Sequence, residues 1–537
     1  MKRLLFYFLL VLLCFNASSQ LQRPKLVVGI VVDQMRWDYL YRFYNRYTAD
    51  GFKRLLNEGF SCENTFINYL PSYTAVGHST IYTGSVPAIN GITGNEWTEQ
   101  LTGQKVYCTA DPSVQCVGAA NATDGKMSPR NLLVTTITDE LRMATNYGSK
   151  VIGVSLKDRA SILPAGHLGT AYWLDDASGN FITSTYYMNS LPAWVTQFNN
   201  QKQIEKLVAN GWTTLYPINT YQQSDSDAKA YEGLFPDEKS PVFPHDTKTA
   251  YAKSRSSFRN TPFGNTLTLN FAIEALNNCG LGKGNTTDFL AISFASTDYV
   301  GHMFGVNSIE IEDTYLRLDR ELGAFLKTLD AKVGKGQWIA FLTADHGAAH
   351  AIGYMQDHKL PADYWNATSL VDSLNRIINS KFGVTNAVRS IANYQVNFDL
   401  NKVTTVDFTA VKQTAVDFLQ RQPGISFAVD MANANNAPVP EKIKAMMIND
   451  YSFKRSGQIQ IVLNPGFYEG YSKTGTTHGT WNPYDTHIPL IWYGWGIKHG
   501  DTSREVYMTD IAATLAALLH IQMPNGCIGK VIEEVKK

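Results

Sequence analysis

Three aspartates and three histidines offer this chain its most specific chemistry. Asp298 and His302 are four apart in Ser296-Thr-Asp-Tyr-Val-Gly-His302. On a helical turn that spacing puts both side chains on one face, as two ligands of one metal ion require. Asp345 and His346 are adjacent in Thr343-Ala-Asp-His-Gly347 and can face two different ions. His478 stands in Gly475-Thr-Thr-His-Gly-Thr480, a glycine-flanked loop where a structural histidine has little to pack against, and Asp33 ends an apolar run. Mixed N/O donors of this kind suit zinc, whereas calcium rarely takes imidazole. Two ions about 4 Å apart can activate a nucleophile and hold the leaving oxygen of an in-line phosphoryl displacement. Locally, each residue is also compatible with a blander role: Asp33 and Asp298 with helix caps, His302 with a surface histidine. His487 is a rival ligand, but it directly precedes a strand and reads as a framework residue.

The nucleophile would come from Pro71-Ser-Tyr-Thr-Ala-Val-Gly-His-Ser-Thr-Ile-Tyr-Thr-Gly84. Its hydroxyls and small residues suit a tight turn entering a helix, where bare N–H groups and the helix dipole favour an anion. An ordinary Ser/Thr helix cap is the competing reading. Ser72, Thr74, Ser79 and Thr80 are interchangeable on spacing alone.

Positioning these residues requires buried strands. Leu26–Val32, 151–156, 288–294 and 338–343 are continuous apolar runs, the pattern of strands buried on both faces. Asp33, Lys157, Asp298 and Asp345 follow their ends. Helices are expected over 49–58, 131–145, 263–278, 310–329 and 509–520, and further strands over 458–463 and 489–493. This alternation predicts an α/β fold, a mostly parallel central sheet covered by helices on both faces. Such sheets bind ligands beyond the carboxyl ends of their strands. Site residues run from Asp33 to His478, so one catalytic domain over 21–537 is expected. Periodicity fades at about 166–261 and 355–455, which read as two large insertions.

Residues 1–20 read as a secretory signal peptide: Lys2-Arg3, an apolar run from Leu4 to Phe15, then Ala17-Ser18-Ser19-Gln20. Lipoprotein anchoring through Cys14 is less well matched, because Val-Leu-Leu precedes it. The expected location is a bacterial periplasm, with no membrane contact beyond export. With 47 Lys and Arg against 47 Asp and Glu, formal net charge is zero, which gives no nucleic-acid-binding signature. A monomer is expected. Export permits disulfides, and Cys108 and Cys116 flank a loop that one could staple. No CxxC pair or thiol beside a base points to cysteine chemistry.

Together, Asp33, the Pro-Ser-Tyr-Thr-Ala turn, Thr297-Asp-Tyr-Val-Gly-His302, Ala344-Asp-His-Gly347 and Thr477-His-Gly479 resemble the alkaline phosphatase superfamily, in family order. Gly94-Asn-Glu-Trp97 and Ser155-Leu-Lys-Asp-Arg-Ala160 are most similar to the PafA-type periplasmic alkaline phosphatases. The resemblance implies two zinc ions per chain. Asp298, His302 and His478 would hold one; Asp33, Asp345 and His346 would hold the other with Thr74, the nucleophile. Asn95, Lys157 and Arg159 would bind phosphoryl oxygens, Lys157 standing where other alkaline phosphatases bind magnesium. The implied activity is hydrolysis of many phosphate monoesters through a covalent phosphothreonine.

Extra donors favour a monoester dianion, which carries more charge on its non-bridging oxygens than a diester; Arg159 offers a bidentate guanidinium and Lys157 a point charge. These two residues weigh against the nearest alternative, a phosphodiesterase of the same superfamily. A sulfatase lacks support because no Cys-x-Pro-x-Arg motif marks the nucleophile, and export argues against a phosphoglycerate mutase. The reading from another class is a non-catalytic zinc- or phosphate-binding protein, opposed by the full set of ligands and hydroxyl.

Overall fold

The computed structural model describes residues 22–120 and 123–537, so the expected signal peptide lies outside the described residues. Four strands form the centre of the main sheet, in spatial order Trp338–Thr343, Leu26–Val32, Asp288–Phe294 and Val151–Ser155. All three contacts between them are parallel, with Leu26 opposite both Trp338 and Asp288. Every residue of these strands is buried. Parallel pairing needs helical crossovers, and those cover both faces. Strand ends therefore align, and Asp33, Lys157, Asp298 and Asp345 emerge along one edge.

The flanks are mixed. Leu490–Gly494 pairs antiparallel with Trp338–Thr343, and Phe60–Phe66 continues that side. On the other side Thr170–Asp175 pairs parallel with Val151–Ser155 and is followed antiparallel by Asn180–Ser184. Part of the 166–261 stretch thus extends the central sheet. Its aromatic content reflects this packing: Phe181 stacks on Phe271 with ring centroids 3.9 Å apart.

Several expected elements differ at their ends. The 131–145 helix begins only at Ile137, after a capping box in which Thr136 and Asp139 satisfy each other's backbone N–H groups. The 49–58 helix begins at Phe52, after Gly51. Phe263–Asn278, Ile309–Leu329 and Asp510–Leu519 follow their apolar periodicity. Among the described residues, no helix is long and apolar enough to cross a membrane.

Within the 355–455 stretch and just beyond it, a second sheet forms in the order Val388–Ala392, Gln395–Phe398, Ile459–Leu463, Ile425–Asp430. Helices Ala367–Phe382 and Phe408–Leu419 pack on it around a hydrophobic core of their own. The Cys108–Cys116 staple does not form: both thiols are free. Cys108 belongs to a cluster with Ala75, Trp97 and Leu163, whereas Cys116 packs on a different one around Trp173.

Candidate active site

Thr74 opens the helix Thr74–Thr83, after Tyr73 in extended conformation. All ten residues of this helix are buried, so it is held on every side. Gly77 permits its closest approach: a Cβ there would lie 2.4 Å from the Asp345 carbonyl oxygen. The helix thereby seats Thr74 against the strand ends, with Oγ1 3.5 Å from His346 Nε2.

The six acid and imidazole residues fall into two groups, Asp298/His302/His478 and Asp33/Asp345/His346, each with ligand atoms within 4.8 Å of one another. Asp298 and His302 lie on the helix Ser296–Phe304, with His302 Nε2 3.0 Å from Asp298 Oδ1. His346 Nε2 lies 3.5 Å from Asp33 Oδ1 and 3.4 Å from Asp345 Oδ2.

All three histidines are oriented the same way. Nδ1 faces a backbone carbonyl, of Thr476 for His302 at 2.8 Å, Gly347 for His346 at 3.0 Å and Ser72 for His478 at 2.7 Å. With Nδ1 turned to those carbonyls, Nε2 of each ring is the nitrogen that faces the ligand groups, the usual support of a metal-ligating imidazole. Burial holds His346 and His478 neutral, lowering both below the ordinary histidine value. For His302, burial is outweighed by the Asp298 carboxylate, which raises it.

A divalent cation fits this donor set. Asp33 Oδ1 and Asp345 Oδ2 are buried without a hydrogen-bond partner. Leaving such an anionic oxygen bare costs about 1–3 kcal/mol or more, which a cation would recover. Burial and the neighbouring Asp345 carboxylate raise Asp33 well above the carboxylate range, with Lys157 opposing. Asp298 is held well below that range: His302 and Lys157 overcome the effect of burial.

Lys157 bridges the two groups. Its ammonium, on a residue only 2% exposed, donates to Asp33 Oδ2 at 2.7 Å and Asp298 Oδ2 at 2.6 Å. It also lies 3.4 Å from Thr74 Oγ1. Burial would discharge it, but Asp298 and Asp33 raise its pKa. Arg159 follows on the next helix, donating from Nη1 to the Tyr107 hydroxyl at 3.1 Å, while its Nε is buried and unpartnered. Lys157, Arg159, Tyr107, Trp173 and Arg259 line a cavity of about 340 Å³. Asn95 Oδ1 accepts from Ala75 N–H at 2.9 Å, which fixes the amide beside the start of the Thr74 helix.

Two further side chains belong here. Gln34 Nε2 donates to Asp298 Oδ1 at 2.7 Å, and its N–H donates to Asp345 Oδ1 at 3.2 Å. His78 places Nδ1 2.9 Å from the Thr74 carbonyl and 3.4 Å from Asp345 Oδ2. Its spacing of four from Thr74 on one helix was the available signal. His487 is a framework residue, bonded through Nε2 to the Glu63 carbonyl at 2.7 Å and stacked on Trp37.

A parallel sheet whose strand ends gather two Asp/His groups around one buried hydroxyl has the architecture of the alkaline phosphatase superfamily. The chain belongs to the family described as type I phosphodiesterase / nucleotide pyrophosphatase, which it matches over residues 27–485. Within it, the likeness is to the PafA type. Alkaline phosphatase PafA of Elizabethkingia meningoseptica is 51% identical over 522 residues, 96% of this chain and 95% of that protein. The crystal structure of wild-type alkaline phosphatase PafA superposes with a TM-score of 0.94 at 50% identity, covering 96% of this chain and all of the other. A Myroides odoratus protein named calcium-transporting ATPase is 53% identical over 525 residues, 96% of each chain.

Proposed function

We propose that this protein is an exported alkaline phosphatase that hydrolyses a broad range of phosphate monoesters through a covalent phosphothreonine. The observation that carries this reading is Lys157, whose ammonium touches both ligand groups and lies 3.4 Å from Thr74 Oγ1. The relatives named alkaline phosphatase support it.

Asp298, His302 and His478 would hold one zinc ion, and Asp33, Asp345 and His346 with Thr74 the other. When bound, the ions would supply Lewis-acid charge that lowers the pKa of a hydroxyl and steadies a departing oxygen. Thr74 Oγ1 attacks phosphorus, the Oγ–P bond forms and the ester P–O bond breaks, releasing alcohol. Water then cleaves Oγ–P, returning the Thr74 hydroxyl and inorganic phosphate. Lys157, Arg159 and the Asn95 amide would hold the non-bridging oxygens, whose greater charge in a monoester rewards these donors. The helix start at Thr74 adds its dipole.

The leader-like residues 1–20 support export to the periplasm. We read residues 21–537 as one catalytic domain carrying the two insertions, acting as a monomer.

Comparing a nitrophenyl phosphate monoester with its diester in the presence of zinc tests the reading. We expect kcat/KM for the monoester to exceed that for the diester by about 100-fold or more, as two charge-assisted hydrogen bonds would give. Diester preference would overturn it.

A further inference from the structure

The second sheet reaches the site through one turn. Ala392 pairs with Gln395, so Asn393 and Tyr394 form a two-residue hairpin loop, with φ of 55° and 58°. A type I′ turn requires such angles at both central positions, and Asn adopts them readily. Tyrosine does not, and holding it there costs of order 1–3 kcal/mol. Surrounding contacts must therefore hold it.

Those contacts lead to the nucleophile. Tyr394 is buried, and its ring stacks at 6.4 Å and 26° on Tyr73, the residue before Thr74. It also stacks on Trp365 at 6.1 Å. Tyr73 in turn meets His478 edge-on at 5.6 Å and 80°. Gly479, at φ +114°, is pressed into the same junction: a Cβ there would lie 2.5 Å from the Tyr73 ring and 3.0 Å from that of Tyr394. The other turn residue leads to the oxyanion donor, since Asn393 Nδ2 donates to the Glu96 carbonyl at 2.8 Å, next to Asn95.

We infer that the Asn393-Tyr394 turn is a positioning device for the proposed reaction, bracing Thr74 and His478 through Tyr73 and Asn95 through Glu96. This rests on the roles given above to Thr74 and Asn95. Loss of turnover in Thr74→Ala and Asn95→Ala tests those roles, independently of the turn.

The turn itself is tested by kinetics on the full-length zinc enzyme with a nitrophenyl phosphate monoester. Tyr394→Phe keeps the ring and should stay within about twofold of wild type, while Tyr394→Leu should lose about tenfold or more in kcat at unchanged zinc content. Asn393→Gly keeps the left-handed turn but removes the amide, and should lower kcat/KM about fivefold or more. In an Asn95→Ala background the same change should cost no more than about twofold, because residues acting through one another are not additive. A merely structural turn would give equal losses in both backgrounds. That additivity, a Tyr394→Leu enzyme with wild-type kcat, or an Asn393→Gly enzyme with wild-type kcat/KM would each overturn the inference. Should Tyr394→Leu fail to fold, the Asn393 cycle decides.

Discussion

Lys157 Nζ donates to Asp298 Oδ2 at 2.6 Å, while its second carboxylate contact, Asp33, belongs to the other ligand group. One buried ammonium therefore sits between two buried carboxyl groups where metal charge would also act. Removing one partner from such a buried ion pair costs about 3–5 kcal/mol. Lys157→Met should be destabilised by that order in chelator and regain most of the loss in excess zinc, as seen by urea unfolding in both buffers. Equal destabilisation with and without zinc would show that the ammonium and the metals do not share the same charge-compensating role.

Thr74 is the first helical residue and the hydroxyl near both Lys157 Nζ and His346 Nε2. Thr74→Ala should lower kcat by about 10³-fold or more, since loss of a covalent nucleophile leaves only binding and electrostatic stabilisation. Its melting temperature and zinc content should remain near wild type. Acid-quenched wild-type turnover should yield a phosphopeptide containing residue 74, absent from the variant. Phosphate found on another residue would exclude Thr74.

The paired ligand groups predict a graded response to metal loss. Dialysis against a chelator should abolish turnover and lower the melting temperature, because bound ions stabilise only the folded chain. Returning zinc should restore both. His478→Ala should retain about one ion per chain by metal analysis, since it removes one member of the Asp298/His302/His478 group. Two ions retained in that variant would refute the assignment of His478.

What the sequence made legible follows from how its strands are buried. Leu26–Val32 and Asp288–Phe294 lie between two helical layers, so every residue is buried and the run stands out without any partner being known. Phe60–Phe66 reads Phe-Ser-Cys-Glu-Asn-Thr-Phe and carries partly exposed polar residues, which conceals it. Gly500–Tyr507 is hidden similarly, being half exposed beside it. At the site, motifs marked Asp298, His302 and Asp345 because ligand types cluster in sequence. Gln34 carried no such mark: its amide matters only because Asp298, 264 residues away, folds against it. The Asn393-Tyr394 turn was hidden for the same reason, since its partners Tyr73 and Glu96 are about 300 residues upstream.

Glu321 supplies a test of stability against pH away from the chemistry. It accepts a hydrogen bond from the Thr266 hydroxyl on the adjoining helix, while its other oxygen is buried without a partner. Burial pushes its pKa up to about 7 from the ordinary 4.5, against the opposing Thr266 bond and Arg317. The folded chain thus keeps a proton that the unfolded chain releases earlier. Stability associated with Glu321 is complete below about pH 4.5 and declines as pH rises through about 7. Glu321→Gln keeps an acceptor for Thr266 and removes the charge, so it should melt higher than wild type at alkaline pH, on the order of 1–2 °C. That advantage should shrink toward zero near pH 5, where wild-type Glu321 is itself protonated in the folded chain. A pH-independent difference would mean that side-chain packing, rather than the buried charge, sets the effect.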